Sequence, residues 1–139
     1  MADGPPRIIP DPDGRNADFY RLLASGRLHV QHCDDCGRAL HPPRFGCPGC
    51  GSESLNFVPS AGRGRLFSWT VTHRPVDPGW AMHLPYATVV VEMEEGVRLV
   101  GAWRGTNEQL ALDLPVVVEV EPAGERFAFL WFRPASEGA

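Results

Sequence analysis

Residues 32–52 read HCDDCGRALHPPRFGCPGCGS, and the four cysteines in that stretch decide the fold. Their pattern is Cys33-x2-Cys36-x10-Cys47-x2-Cys50. A two-residue gap lets both thiolates of a knuckle face one ion. Gly37 and Gly51, directly after each knuckle, relieve the tight turn such a knuckle needs. Two knuckles supply four sulfurs in tetrahedral array, a donor set that suits a structural zinc ion and leaves no open coordination position for catalysis. Two disulfides are the competing reading, but the polar, proline-rich N-terminus carries no secretory h-region. Iron in a rubredoxin-like site is chemically possible, although the two loops of such a site usually lie farther apart in sequence.

Working outward, residues 28–32 alternate enough to be a strand leading into the first knuckle. Upstream, Phe19, Leu22 and Leu23 fall at i, i+3 and i+4, which predicts a short helix capped by Asn16 and ended by Gly26. A helix of this length is marginal alone. Phe19, Tyr20 and Leu23 are therefore expected to face a partner surface, unless they pack on the ribbon itself. Downstream, β-forming residues predict strands over 66–72, 86–93, 97–103, 116–121 and 127–132, with Glu94-Glu95-Gly96 as a hairpin turn. A short helix is expected over 106–112. Five strands with a helical insert before the fourth fit a small closed barrel of the OB type. The fold class is thus mainly β: a tail and short helix over 1–26, a rubredoxin-like zinc ribbon over 27–60, a five-stranded OB-fold barrel over 61–134, and a tail over 135–139.

Composition narrows the function. The 139 residues are 43% hydrophobic and 22% charged, as in a globular protein. Apolar stretches such as 87–91 are far too short to cross a bilayer, so no membrane association is expected and a cytoplasmic location is. Between Arg27 and Arg74, six arginines face three carboxylates, a local charge of +3; from Pro75 onward, four arginines face ten carboxylates, a charge of −6. With a total of −4, the chain is a poor candidate for bulk nucleic-acid binding, but its first half leaves room for a small phosphate-bearing ligand. No nucleophile, base and orienter stand together, and no cysteine remains free once a metal is bound. His41 reads as a surface residue of the ribbon loop, and His32 as at most a spare ligand. His73, at the end of the first barrel strand beside Arg74, is the best functional candidate among the five histidines.

Beyond these readings, the order of several fragments resembles one family. Cys33-Asp-Asp-Cys-Gly37, Pro42-Pro43-Arg44 and Cys47-Pro-Gly-Cys-Gly-Ser52 are followed by Gly62-Arg-Gly64 and Leu66-Phe67-Ser68-Trp69-Thr70. Then come Pro85-Tyr86-Ala87, Glu95-Gly96, Pro115-Val116 and Phe132-Arg133-Pro134. Together they resemble the acyl-CoA-associated zinc-ribbon/OB-fold family, long catalogued only as a domain of unknown function. Two positions depart from its pattern: Phe57, where the family usually carries tryptophan, and Leu114-Pro115, where glycine often precedes the short residue and proline.

The resemblance implies a non-catalytic accessory subunit that forms a hetero-oligomer with a thiolase-fold enzyme and helps build its acyl-CoA channel. The enzyme it points to is an aldolase of steroid or lipid side-chain degradation. On that reading Arg63, Arg65, His73 and Arg74 are candidates for the CoA phosphates, since arginine pairs well with them. Trp80, in an aperiodic loop, joins Phe19, Tyr20 and Leu23 as a candidate partner contact. Two other classes remain. A zinc ribbon with an OB fold also describes single-stranded nucleic-acid binders, in which Trp69, Trp80 and Trp103 would stack on bases. A free-standing acyl-CoA-binding enzyme is the other.

Overall fold

The computed structural model describes residues 5–135. The tails expected at 1–4 and 136–139 lie outside the described residues. Helix α1 (Gly14–Ala24) begins earlier than expected. Ala17 N–H already donates to the Asp13 carbonyl at 3.2 Å, so Asp13 is the cap and Asn16 lies inside the first turn. The other end matches the sequence reading: Gly26 adopts φ +108° and its N–H reaches the Leu23 carbonyl at 2.9 Å.

Three strands make the ribbon: β1 (His29–Cys33), β2 (Ala39–Leu40) and β3 (Leu55–Pro59), antiparallel in the order β2-β1-β3. The third was not legible, because none of its five residues is fully buried and it ends in a proline on the sheet edge.

The remaining strands are β4 (Arg63–Thr72), β5 (Tyr86–Met93), β6 (Arg98–Trp103), β7 (Pro115–Pro122) and β8 (Ala128–Pro134). They close in the order β4-β5-β6-β8-β7, the OB arrangement. Every pairing is antiparallel except β6 with β8, which run parallel through Ala102–Trp131 and Trp103–Phe132. The β5–β6 hairpin turns at Gly96, whose φ of +92° and N–H to the Met93 carbonyl fit the expected tight turn. Of the helix expected over 106–112, only a 3-10 turn at Asn107–Gln109 forms.

One core serves both parts. Leu66, Val89, Val91, Leu99, Val116 and Phe132 fill the barrel, and Leu28, Val30, Phe19 and Leu23 join the same cluster from the ribbon side. Phe19 is 4% exposed and Leu23 fully buried. This corrects the expectation that they await a partner: α1 packs on β7, β8 and β1 of its own chain.

The proline-rich N-terminal segment also has a fixed place. Arg7 ion-pairs with Glu121, and its guanidinium lies 4.3 Å from the Phe129 ring and 4.9 Å from that of Trp80. Ile8 N–H donates to Asp77 at 2.8 Å, and Gly79 N–H to the same carboxylate at 2.9 Å. A Cβ on Gly79 would come 2.4 Å from the Arg7 Cα, so only glycine lets the segment cross there.

Candidate metal centre and its flanking surfaces

Each knuckle is built the same way. Gly37 N–H donates to the Cys33 carbonyl at 2.9 Å and Gly51 N–H to that of Cys47 at 2.8 Å. The glycines adopt φ +79° and +78°, as the sequence pattern requires. Cys33 N–H bonds to the Arg38 carbonyl and Cys47 N–H to that of Ser52, closing each loop on itself. The result brings all four sulfurs within 4.8 Å of one another. Cys33 Sγ lies 3.6 Å from Cys50 Sγ, and Cys36 Sγ 3.6 Å from Cys47 Sγ. Sulfurs about 2.3 Å from a shared tetrahedral ion stand about 3.8 Å apart, so the cluster has the dimensions of a four-thiolate zinc site.

No disulfide links these cysteines. Cys33 and Cys47 face the interior while Cys36 and Cys50 face solvent. The thiols feel one another strongly. Burial raises Cys47, but the N–H groups of Cys50 and Gly49 and the neighbouring thiols outweigh it and bring it down to about 6. Against the Ser52 N–H, which lowers it, the Cys33 thiol and burial push Cys50 up to about 12. A divalent cation removes this conflict by stabilising all four thiolates together.

The other sequence-selected residues fall in several places. His32 Nδ1 faces Asp34 at 3.8 Å, outside the sulfur cluster. His41, expected at the surface, instead packs its ring 5.1 Å from that of Phe19, and its buried Nδ1 has no hydrogen-bond partner. Burial lowers its pKa to about 4.

The four residues weighed for CoA phosphates do not converge. Arg63 Nε bonds to Glu94 at 2.9 Å, and Arg65 Nη1 reaches the Asp113 carbonyl at 3.4 Å. Both line a cavity of about 390 Å³ that Glu92, Glu94 and Asp113 also border. His73 and Arg74 follow the opposite end of β4 and are exposed. At about 3.3 Å per residue the two pairs stand roughly 25 Å apart.

Among the aromatics, Trp103 is buried with its Nε1 donating to the Thr106 carbonyl at 2.9 Å, and Trp69 packs against the core. Trp80 is partly buried within 6 Å of the rings of His83, Tyr86, Phe129 and Trp131. Tyr20 stacks on Phe127 at 4.7 Å, and burial raises its pKa. Tyr20 and Trp80 are thus engaged with neighbouring rings and Trp69 and Trp103 with the core, an arrangement unlike a splayed base-stacking platform.

Sequence reasoning missed the network beside Trp80. Glu121 accepts from Arg7 and from Trp131 Nε1 at 2.7 Å; the Arg7 contact holds its carboxyl below the ordinary range. Arg104 lies over the Trp131 ring at 3.9 Å. No short motif signals a contact that joins residue 7 to residue 121.

A four-cysteine ribbon docked on a five-stranded OB barrel through one shared core defines this as a ribbon–barrel protein with the donor set of a four-thiolate metal site. The chain belongs to the ChsH2 family: residues 21–56 match its rubredoxin-like zinc ribbon domain and residues 57–121 its C-terminal OB-fold domain. It is similar to the solved structure of an "Ltp2-ChsH2(DUF35) aldolase", with a TM-score of 0.82 and 34% identity, over 91% of this chain and 99% of that one. It is 34% identical over 81% of its length to the 3-oxo-4,17-pregnadiene-20-carboxyl-CoA hydratase alpha subunit of Mycobacterium tuberculosis. It is also 28% identical over 83% of its length to the benzoylsuccinyl-CoA thiolase subunit BbsA of Thauera aromatica, 80% of which it covers. Of the hydratase alpha subunits it matches, the chain spans only 37% to 39% of the length. No described helix is long and apolar enough to cross a membrane.

Proposed function

We propose that this chain is a non-catalytic accessory subunit of an acyl-CoA-processing complex. It stabilises a thiolase-fold enzyme, in the first place an aldolase acting on a steroid or lipid side chain, and contributes a wall to its acyl-CoA channel. The observation that carries this reading is the similarity over nearly the full length of both chains to a protein solved within an aldolase complex. One zinc ion per chain, held by Cys33, Cys36, Cys47 and Cys50, serves the fold alone, since four protein ligands leave no coordination position for substrate.

The site chemistry supports the absence of independent turnover. Among the described residues no serine hydroxyl is hydrogen-bonded to a histidine; Ser60 and Ser52 donate to Glu95 and Asp35, and the four cysteines are committed to the ion. The buried Trp103 and the total charge of −4 favour this reading over single-stranded nucleic-acid binding.

Of the four residues weighed as partner contacts, Tyr20 and Trp80 are only partly buried, which supports a docking surface formed by α1 and the adjoining barrel around them. The test is affinity capture of the tagged chain from its native lysate, followed by an acyl-CoA cleavage assay. A thiolase-fold enzyme should co-purify, and activity should require both chains. Enzyme-like turnover by the purified lone chain would overturn the accessory reading.

A further inference from the structure

We propose that the groove between the ribbon's entry segment and the outer face of β4, β7 and β8 binds a diphosphate-type anion through Arg27, Arg63 and Arg133. Strand register brings two of these arginines together. Arg63 pairs with Val117 across the β4–β7 ladder, and Val117 pairs with Arg133 across the β7–β8 ladder. Residues directly opposite one another in a ladder share a face. The two guanidinium groups therefore rise from one side of the sheet, from backbones two strand spacings apart, about 10 Å.

Arg27 arrives from the other wall. Gly26 turns the chain out of α1 at φ +108°, and Ser60 N–H bonded to the Leu28 carbonyl at 2.9 Å ties this segment to the approach to β4. Val118 N–H bonded to the Gly62 carbonyl at 2.8 Å then joins that approach to β7. The space between has a volume of about 540 Å³, enough for a nucleotide-sized group.

The electrostatics select the ligand. All three arginines line this groove, while Glu95 stands behind its wall, turned onto Ser60 Oγ and the Ala61 N–H. Arg63 spends only its Nε on Glu94, which borders the neighbouring cavity, and so keeps its terminal nitrogens. Arg133 Nε stands 4.0 Å from Glu119, too far for a hydrogen bond, and its Nη1 makes one long contact to the Pro134 carbonyl at 3.5 Å. The Arg27 side chain has no ion-pair partner among the described residues. Three guanidinium groups with unused donors, gathered on a chain of net charge −4, form a local attractor for a multiply charged anion. A diphosphate offers several acceptor oxygens in the planar pairs that guanidinium groups match. Only the biological source of the ligand, a nucleotide-linked diphosphate such as coenzyme A carries, rests on the accessory-subunit reading.

Calorimetric titration of the zinc-loaded full chain with inorganic pyrophosphate, ADP and coenzyme A, at physiological salt, tests the groove without any partner. Wild type and R126E, a charge reversal in the turn ahead of β8 and outside the groove, should bind at least one of the three. The double variant R27E/R133E should bind at least ~10-fold more weakly, with zinc content and circular dichroism unchanged. The neutral single variants Arg27→Gln and Arg133→Gln provide the same readout should the double variant fold poorly. Equal affinity for pyrophosphate and the nucleotides assigns recognition to the diphosphate alone, and tighter nucleotide binding adds the groove's apolar wall; both support the site. Binding of none of the three by wild type, or equal binding by wild type and the arginine variants, overturns it. Because no partner takes part, that failure leaves the accessory function standing, and a failure to capture a partner leaves the groove standing.

Discussion

The buried histidine of the ribbon loop makes stability depend on pH in a calculable way. His41 packs against Phe19 with its Nδ1 buried and unpartnered, and its pKa falls from 6.5 to about 4. The folded state thus holds the ring neutral where the unfolded chain would protonate it. A depressed folded pKa contributes stability that is complete above 6.5 and lost as pH falls through 4. Integrated over that window, the loss is about 1.4 kcal/mol by pH 5.5 and about 2.5 kcal/mol by pH 4.5. His41→Phe keeps an aromatic ring against Phe19 and removes the titration. Denaturant unfolding followed by tryptophan fluorescence, at steps between pH 7.5 and 4.5 with zinc in excess, should show wild type losing about 2.5 kcal/mol more than the variant. The difference between the two proteins is the readout, because acid weakens the thiolate site equally in both. Parallel stability curves for wild type and His41→Phe would refute the argument that burial depresses this histidine.

Three further outcomes follow from the packing and the metal centre. Elemental analysis should find close to one zinc per chain, with Cys36→Ser or Cys47→Ser losing the ion and unfolding the ribbon; a metal-free protein with an intact ribbon would contradict the four-thiolate assignment. Phe19→Ala should cost about 3–5 kcal/mol in thermal or denaturant unfolding of the isolated chain, since its ring lies in the shared core. A cost below about 1 kcal/mol would return it to the exposed partner surface first expected. Gly79→Ala should displace the N-terminal segment, which would register as rapid proteolysis ahead of α1 and altered Trp80 fluorescence, because its Cβ would overlap the Arg7 backbone.

The sequence by itself determined what depends on local spacing. The x2 gaps and the glycine after each knuckle specify the four-sulfur cluster, because both constraints act within a few residues of chain. The Glu94-Glu95-Gly96 turn and the bounds of β5 are equally local, and they agree with the structure. Runs of β-forming residues between turns were enough to count the barrel strands, since that preference is local to each segment. What the tertiary structure alone decided is which surfaces meet. Phe19 and Leu23 read as an unsatisfied apolar stripe, and only the docking of α1 on β7, β8 and β1 shows the stripe consumed within the chain. His41 looked exposed because burial of a loop histidine depends on a distant helix. The Arg7–Glu121 pair and the Arg63–Val117–Arg133 row join residues remote in sequence through strand register and barrel closure. Such contacts leave no local mark, because the free energy that selects them comes from packing the whole core and not from neighbouring residues.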